Sequence, residues 1–107
     1  MKVARDVDEG IGAGFAPGPD AERWSYVGPL TYQNAAAVLK AATALMLPLE
    51  SEVDLRDIGA VDSSAVAVLI ALKRRAAEES RPLTFVNVPD ALLVLADLYG
   101  VEDILTK

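Results

Sequence analysis

Three adjacent polar residues, Asp62, Ser63 and Ser64, stand between an alternating segment and eight consecutive apolar residues, Ala65 to Leu72. A serine in such a place has two uses. At the start of a helix its oxygen can accept hydrogen bonds from backbone N–H groups that lack a partner within the helix. Val66 and Ala67 occupy the positions where a reciprocal capping box needs Glu or Gln, so capping employs one serine and leaves the other unexplained. The second use is as a contact or phosphorylation site. A phosphate there would meet the positive end of the helix dipole. It would also add about −1.5 to −2 charges beside Asp62, enough to disrupt a partner built to receive a small neutral hydroxyl. Nucleophilic catalysis is not expected, because the chain has no His to take the serine proton and Lys73 lies more than two turns further along the helix.

The composition narrows the chemistry further. The absence of His and Cys removes Ser-His triads, most zinc sites, disulfides and thiol catalysis. No cofactor is expected. A formal charge of −6 disfavours nucleic acid, whose phosphates call for a clustered positive field. The one basic cluster, Lys73 to Arg75, is followed by Glu78 and Glu79 and is expected to be a solvated helix end. No apolar run approaches the roughly 18 residues of a membrane span, and no apolar signal core follows Lys2. The expectation is a soluble cytoplasmic protein whose partners are other proteins.

The elements around the Asp-Ser-Ser turn follow from periodicity. Residues 1 to about 20 are expected to be loose, with Pro17 and Pro19 excluding a helix, though a first strand around Gly12 to Ala16 is possible there. "GIGAGF" fails as a dinucleotide fingerprint because Phe15 replaces the third glycine. "RWSYVG" predicts a half-buried strand with Trp24 and Tyr26 inward, ended by a turn at Gly28 and Pro29. Thr31 is the expected N-cap of a helix reaching Leu47, before Pro48. Ser51 to Ile58 alternates, with Val53 and Leu55 inward. A helix from about Ser64 to Glu79, a strand over Leu83 to Val88, a helix from Pro89 to Tyr99 closed by Gly100, and a short last element over Val101 to Leu105 complete the chain. The order β-β-α-β-α-β-α makes an α/β domain, a mixed sheet with helices mainly on one face and its first strand pair antiparallel. Residues 21–107 form that domain.

Two helices carry more apolar surface than one sheet needs. Ala65 to Leu72 has no polar face, and Leu93, Val94 and Leu98 lie off the stripe formed by Leu92, Leu95, Ala96 and Tyr99. Packing against the sheet and neighbouring helices can absorb part of this. The remainder is expected to form an interface.

The chain resembles the STAS family (sulfate transporter and anti-sigma factor antagonist). The resemblance rests on "VGPLT" before the first helix, on "VDLRDIGAVDSSAVAVLIALKRRA" as strand, Asp-Ser-Ser turn and second helix, and on "LTFVNVPDALLVLADLYGVEDIL" as last strand and closing helix. It spans about Trp24 to Leu105 and implies the STAS fold. Two branches of the family imply different functions. In anti-sigma factor antagonists a partner kinase phosphorylates the serine matching Ser63. In the B subunit of the Mla-type phospholipid ABC transporter, a cytoplasmic STAS protein binds the ATPase subunit, and the residue matching Ser63 lies at that interface. Ala65 and Val66 depart from the Gly-Leu that follows the serines in antagonists, and "LADLYGVEDIL" looks most like the transporter branch. The expected function is therefore a non-enzymatic subunit, held at the inner membrane only through its partner. Its partner contacts are expected at Asp62, Ser63, Ser64, Val66, Leu69, Ile70, Leu93 and Tyr99. A small-ligand-binding domain, suggested by apolar content alone, is the third class.

Overall fold

A computed structural model describes residues 14–17 and 22–106. The loose segment expected over residues 1 to 20 lies outside these, apart from the first strand. The elements are β1 (Gly14–Pro17), β2 (Arg23–Leu30), α1 (Ala35–Thr43), β3 (Glu52–Val61), α2 (Ser63–Glu78), β4 (Thr84–Val86), α3 (Asp90–Leu98) and α4 (Glu102–Thr106). Sheet order is β1-β2-β3-β4, with β1 antiparallel to β2 and the other pairs parallel. The expected mixed sheet and element order are present, with the last element a short helix.

Period-two patterning decides which face is covered. Trp24, Tyr26 and Leu30 of β2, Val53, Leu55 and Ile58 of β3, and Phe85 of β4 are buried with the apolar sides of the helices. On the other face Arg23 pairs with Glu52 at 2.9 Å and Asp54 accepts from Asn87 Nδ2 at 3.1 Å. That face stays wet. Phe15 of β1 lies against Trp24 and edge-on to Tyr26, with centroids 5.8 and 4.7 Å apart. Such aromatic pairs add about 0.5–1.5 kcal/mol each beyond area burial.

Several boundaries differ from the sequence-based expectation. Gly28 and Pro29 do not turn the chain. They lie within β2, where Gly28 adopts φ +95° and the pairing to β3 slips twice: Ser25 and Val27 face Asp54 and Asp57, and Gly28 and Leu30 face Ile58 and Val61. Each slip places one extra residue on β3. The alternation therefore breaks, leaving Arg56 and Asp57 both exposed between buried Leu55 and Ile58, and β3 continues to Val61.

Thr31 does not cap α1 directly. It opens a turn in which its carbonyl accepts from Asn34 N and Ala35 N, while Asn34 Oδ1 accepts from Thr31 N at 3.0 Å, and the helix begins only at Ala35. At the other end α1 stops at Thr43, short of Leu47. Arg75 reaches across from α2 and donates to the Ala42 and Leu45 carbonyls at 3.0 and 2.6 Å. The basic cluster is therefore not simply a solvated helix end, since its last member closes a neighbouring helix. β4 is shorter than expected, and the left-handed Asn87 (φ 56°) follows directly on its last residue.

Candidate functional site

The two slips in β3 carry its C-terminal end level with that of β2, where Leu30 faces Val61. The next residue, Asp62, is extended, and α2 begins at Ser63. Asp62, rather than a serine, is the cap. Its Oδ1 accepts from Ser64 N at 2.8 Å and its carbonyl from Ala65 N at 3.0 Å. Oδ2 accepts from Tyr32 N at 2.9 Å, which ties the β2–α1 turn to the start of α2. These donors, the Tyr32 N–H above all, hold the Asp62 carboxyl below its ordinary value of 3.8.

With capping assigned to Asp62, both serines are released from it. Ser64 is half-buried beside the carboxylate. Ser63 is exposed, and its hydroxyl has no hydrogen-bond partner among the described residues. It forms one end of a shallow groove of about 210 Å³ whose other walls are Val66, Ala67 and Ile70 of α2 and Tyr99 and Val101 of the α3–α4 connection. Residues 63, 66, 67 and 70 share one helical face, so the groove follows the helix axis. The opposite wall is fixed by Gly100, whose φ of +70° and the 2.8 Å bond from Val101 N to the Ala96 carbonyl close α3 in a tight C-terminal motif. Tyr99 is 55% exposed, and Val94 and Leu98 of α3 are exposed at 66% and 72%.

The expected contact residues divide. Ser63, Val66, Ile70 and Tyr99 converge on the groove, and Asp62 and Ser64 build its polar end. Leu93 is half-buried against the core. Leu69 is a correction: it is fully buried, on the face shared with Ala65, Leu72 and Ala76 that meets the sheet, and it offers no surface to a partner. Most of the apolar excess of α2 is absorbed in the same way. Ala67 and Val101 were missed, although the i, i+3, i+4, i+7 spacing from Ser63 contains Ala67. Tyr32, 76% exposed, was also missed. Only the hydrogen bond to Asp62, thirty positions away, brings it to the turn.

A family model described as "Mlab, STAS domain" matches residues 25–106. The chain belongs to the STAS domain family. No curated protein matches it. STAS domains are generally not catalysts. In this one, no group of three or more acidic residues that could hold a metal ion occurs among the described residues, and no described helix is long and apolar enough to cross a membrane.

Proposed function

We propose that this STAS domain is a non-enzymatic regulatory and assembly subunit that binds the cytoplasmic ATPase of a Mla-type phospholipid ABC transporter. The observation that carries the reading is the Ser63 groove. An unpartnered hydroxyl stands beside an apolar groove walled by Val66, Ala67, Ile70, Tyr99 and Val101, and α3, which leads into Tyr99, also exposes Val94 and Leu98. Such a surface receives apolar side chains and has room for a neutral serine at its end. The description of the matching family model supports the transporter branch. So does Ala65, whose methyl group is buried in the core where antagonists carry glycine. ATP would be bound and hydrolysed by the partner, and this domain would reach the inner membrane only through it.

A second reading has its own support. The same free hydroxyl at the start of a 16-residue helix suits phosphorylation by an anti-sigma factor kinase, as in the antagonist branch.

The test is an affinity pull-down of tagged protein from its native membranes in mild detergent, read by mass spectrometry. An ABC ATPase with its permease is the expected recovery. A kinase-like anti-sigma factor, with phosphate on Ser63, would replace the transporter reading. Ser63→Glu and Ile70→Asp are each expected to weaken ATPase binding by tenfold or more, about 1.4 kcal/mol, with the thermal melt of the free domain retained. Wild-type binding by both variants would remove the groove from the interface.

A further inference from the structure

A second concavity lies at the far end of α2 from Ser63. This cleft of about 340 Å³ is walled by Lys73 and Ala77 of α2 and by residues 80–84 leading into β4. Its size is at the small end of the roughly 300–1,000 Å³ typical of small-molecule sites. Its charge is opposite to that of the chain, which totals −6.

Like the exposed Arg74, the two cations of the cleft have no carboxylate partner among the described residues, in contrast to three other arginines. Arg23, Arg56 and Arg75 each have a carboxylate within 4 Å. Lys73 and Arg81 have none among the described residues. Lys73 instead holds its Nζ 5.6 Å from the centre of the Phe85 ring, and partial burial lowers its pKa, so its charge is incompletely solvated. Arg81 makes one long contact, Nη2 to the Pro48 carbonyl at 3.4 Å, which leaves most of its five N–H donors unused.

The backbone adds a third observation. Ser80 takes φ 58° in the turn where Arg81 N bonds back to the Ala76 carbonyl at 2.8 Å, a position that glycine occupies without strain. Ser80 carries a hydroxyl at the cleft wall. Thr84 supplies a second hydroxyl, and Ala77 and Pro82 an apolar surface between.

We propose that this cleft binds an organic phosphate, with the phosphate held by Lys73, Arg81 and the Ser80 and Thr84 hydroxyls and its apolar portion resting on Ala77 and Pro82. A phosphate offers three acceptor oxygens to this mixture of a point charge, a planar fork and hydroxyl donors. A free phosphate ester and a lipid headgroup present the same chemistry to this site. The site is separate from the Ser63 groove and does not depend on the transporter reading.

The experiment is a titration of the full-length protein with phenyl phosphate, followed by amide NMR shifts. Saturable shifts confined to residues 73–84 are expected, and benzyl alcohol, which lacks the phosphate, should give none. Lys73→Met keeps the aliphatic stem over Phe85, and Arg81→Gln keeps a donor. Each should weaken binding by roughly tenfold or more without lowering the thermal melt. Arg74→Gln removes an exposed cation outside the cleft and should bind as wild type does. Vesicles of phosphatidic acid in phosphatidylcholine distinguish the two sources. Co-sedimentation displaced by phenyl phosphate assigns a lipid headgroup, whereas phenyl phosphate binding without co-sedimentation assigns a free phosphate. No saturable shift at millimolar phenyl phosphate together with no vesicle binding would overturn the proposal. So would equal weakening by Arg74→Gln, which would mean general charge screening.

Discussion

At the scale of single residues, the division of labour between Asp62 and Ser63 decides how the site can act. Asp62 spends both carboxylate oxygens on backbone N–H groups, one within α2 and one from Tyr32. Ser63 is left without an internal role. Because the Asp62 carboxyl titrates below 3.8 when folded, the native state binds the proton less readily than the unfolded chain does. Its contribution to stability is therefore complete above the unfolded value and is lost as pH falls through the folded one. Asp62→Asn should melt at a lower temperature than wild type near neutrality, and the gap should close as pH falls below about 4. Thermal melts of both proteins across that range measure it. A gap that stays constant to roughly pH 2 would show that the carboxylate charge is not what ties the two segments together. Asp54, also depressed, titrates in both proteins and drops out of the difference.

Among the elements, α2 is the one that serves two surfaces at once. Its Ala65, Leu69, Leu72 and Ala76 face packs on the sheet, and its Ser63, Val66, Ala67 and Ile70 face lines the groove. Leu69 and Ile70 are neighbours in sequence with different expected responses. Leu69→Ala opens a cavity in a close-packed core and should cost about 2–5 kcal/mol. Ile70→Ala, at a half-exposed position, should cost about 1 kcal/mol or less while reducing partner affinity. Urea unfolding of each variant, set beside its ATPase binding, separates the roles, and equal destabilisation would contradict them. Arg75 links α2 to the end of α1 through two charge-assisted bonds to carbonyls. Its exposed pair with Glu79 contributes little beside them. Arg75→Met should therefore cost about 1.5–3 kcal/mol, whereas Glu79→Gln should cost about 0.5 kcal/mol or less. A larger loss from Glu79→Gln than from Arg75→Met in chemical denaturation would reverse that ranking.

For the molecule as a whole, the one-sided sheet concentrates a single core on the helix-covered face, with Trp24 within it at 1% exposure. Trp24 is the only tryptophan of the chain and bonds through its indole N–H to the Met46 carbonyl at 3.1 Å, so it joins β2 to the α1–β3 connection. Tryptophan fluorescence and far-ultraviolet circular dichroism should lose their native signals in coincident transitions during urea unfolding. Separate midpoints would mean that the α3–α4 end, and the groove wall it carries, unfolds on its own. The groove and the cationic cleft lie at opposite ends of α2. Ser63→Glu and Arg81→Gln are separated by the length of α2, roughly 20 Å at 1.5 Å per residue, and should combine additively in stability. Ile70 and Lys73, in contrast, are one turn apart and are expected to couple.

Local chemistry made much of this legible from sequence. Alternation in "RWSYVG" and "SEVDLRDI" placed Trp24, Tyr26, Val53 and Leu55 inward. The Asp-Ser-Ser turn before an apolar run located the site, and Gly100 marked the end of α3. These features depend on neighbours within a few residues, where strand and helix periods and turn chemistry operate. Other features depended on contacts between distant segments. The slips that lengthen β3 arise only when β2 lies beside it. The early end of α1 requires Arg75, some thirty positions away. That Asp62 is the cap, that the Tyr32 N–H bonds to it, and that Leu69 is buried while Ile70 lines the groove were likewise set by packing. An unbroken apolar run gives no phase to a helix. Only the surfaces that pack against it determine which side is core and which remains open to a partner.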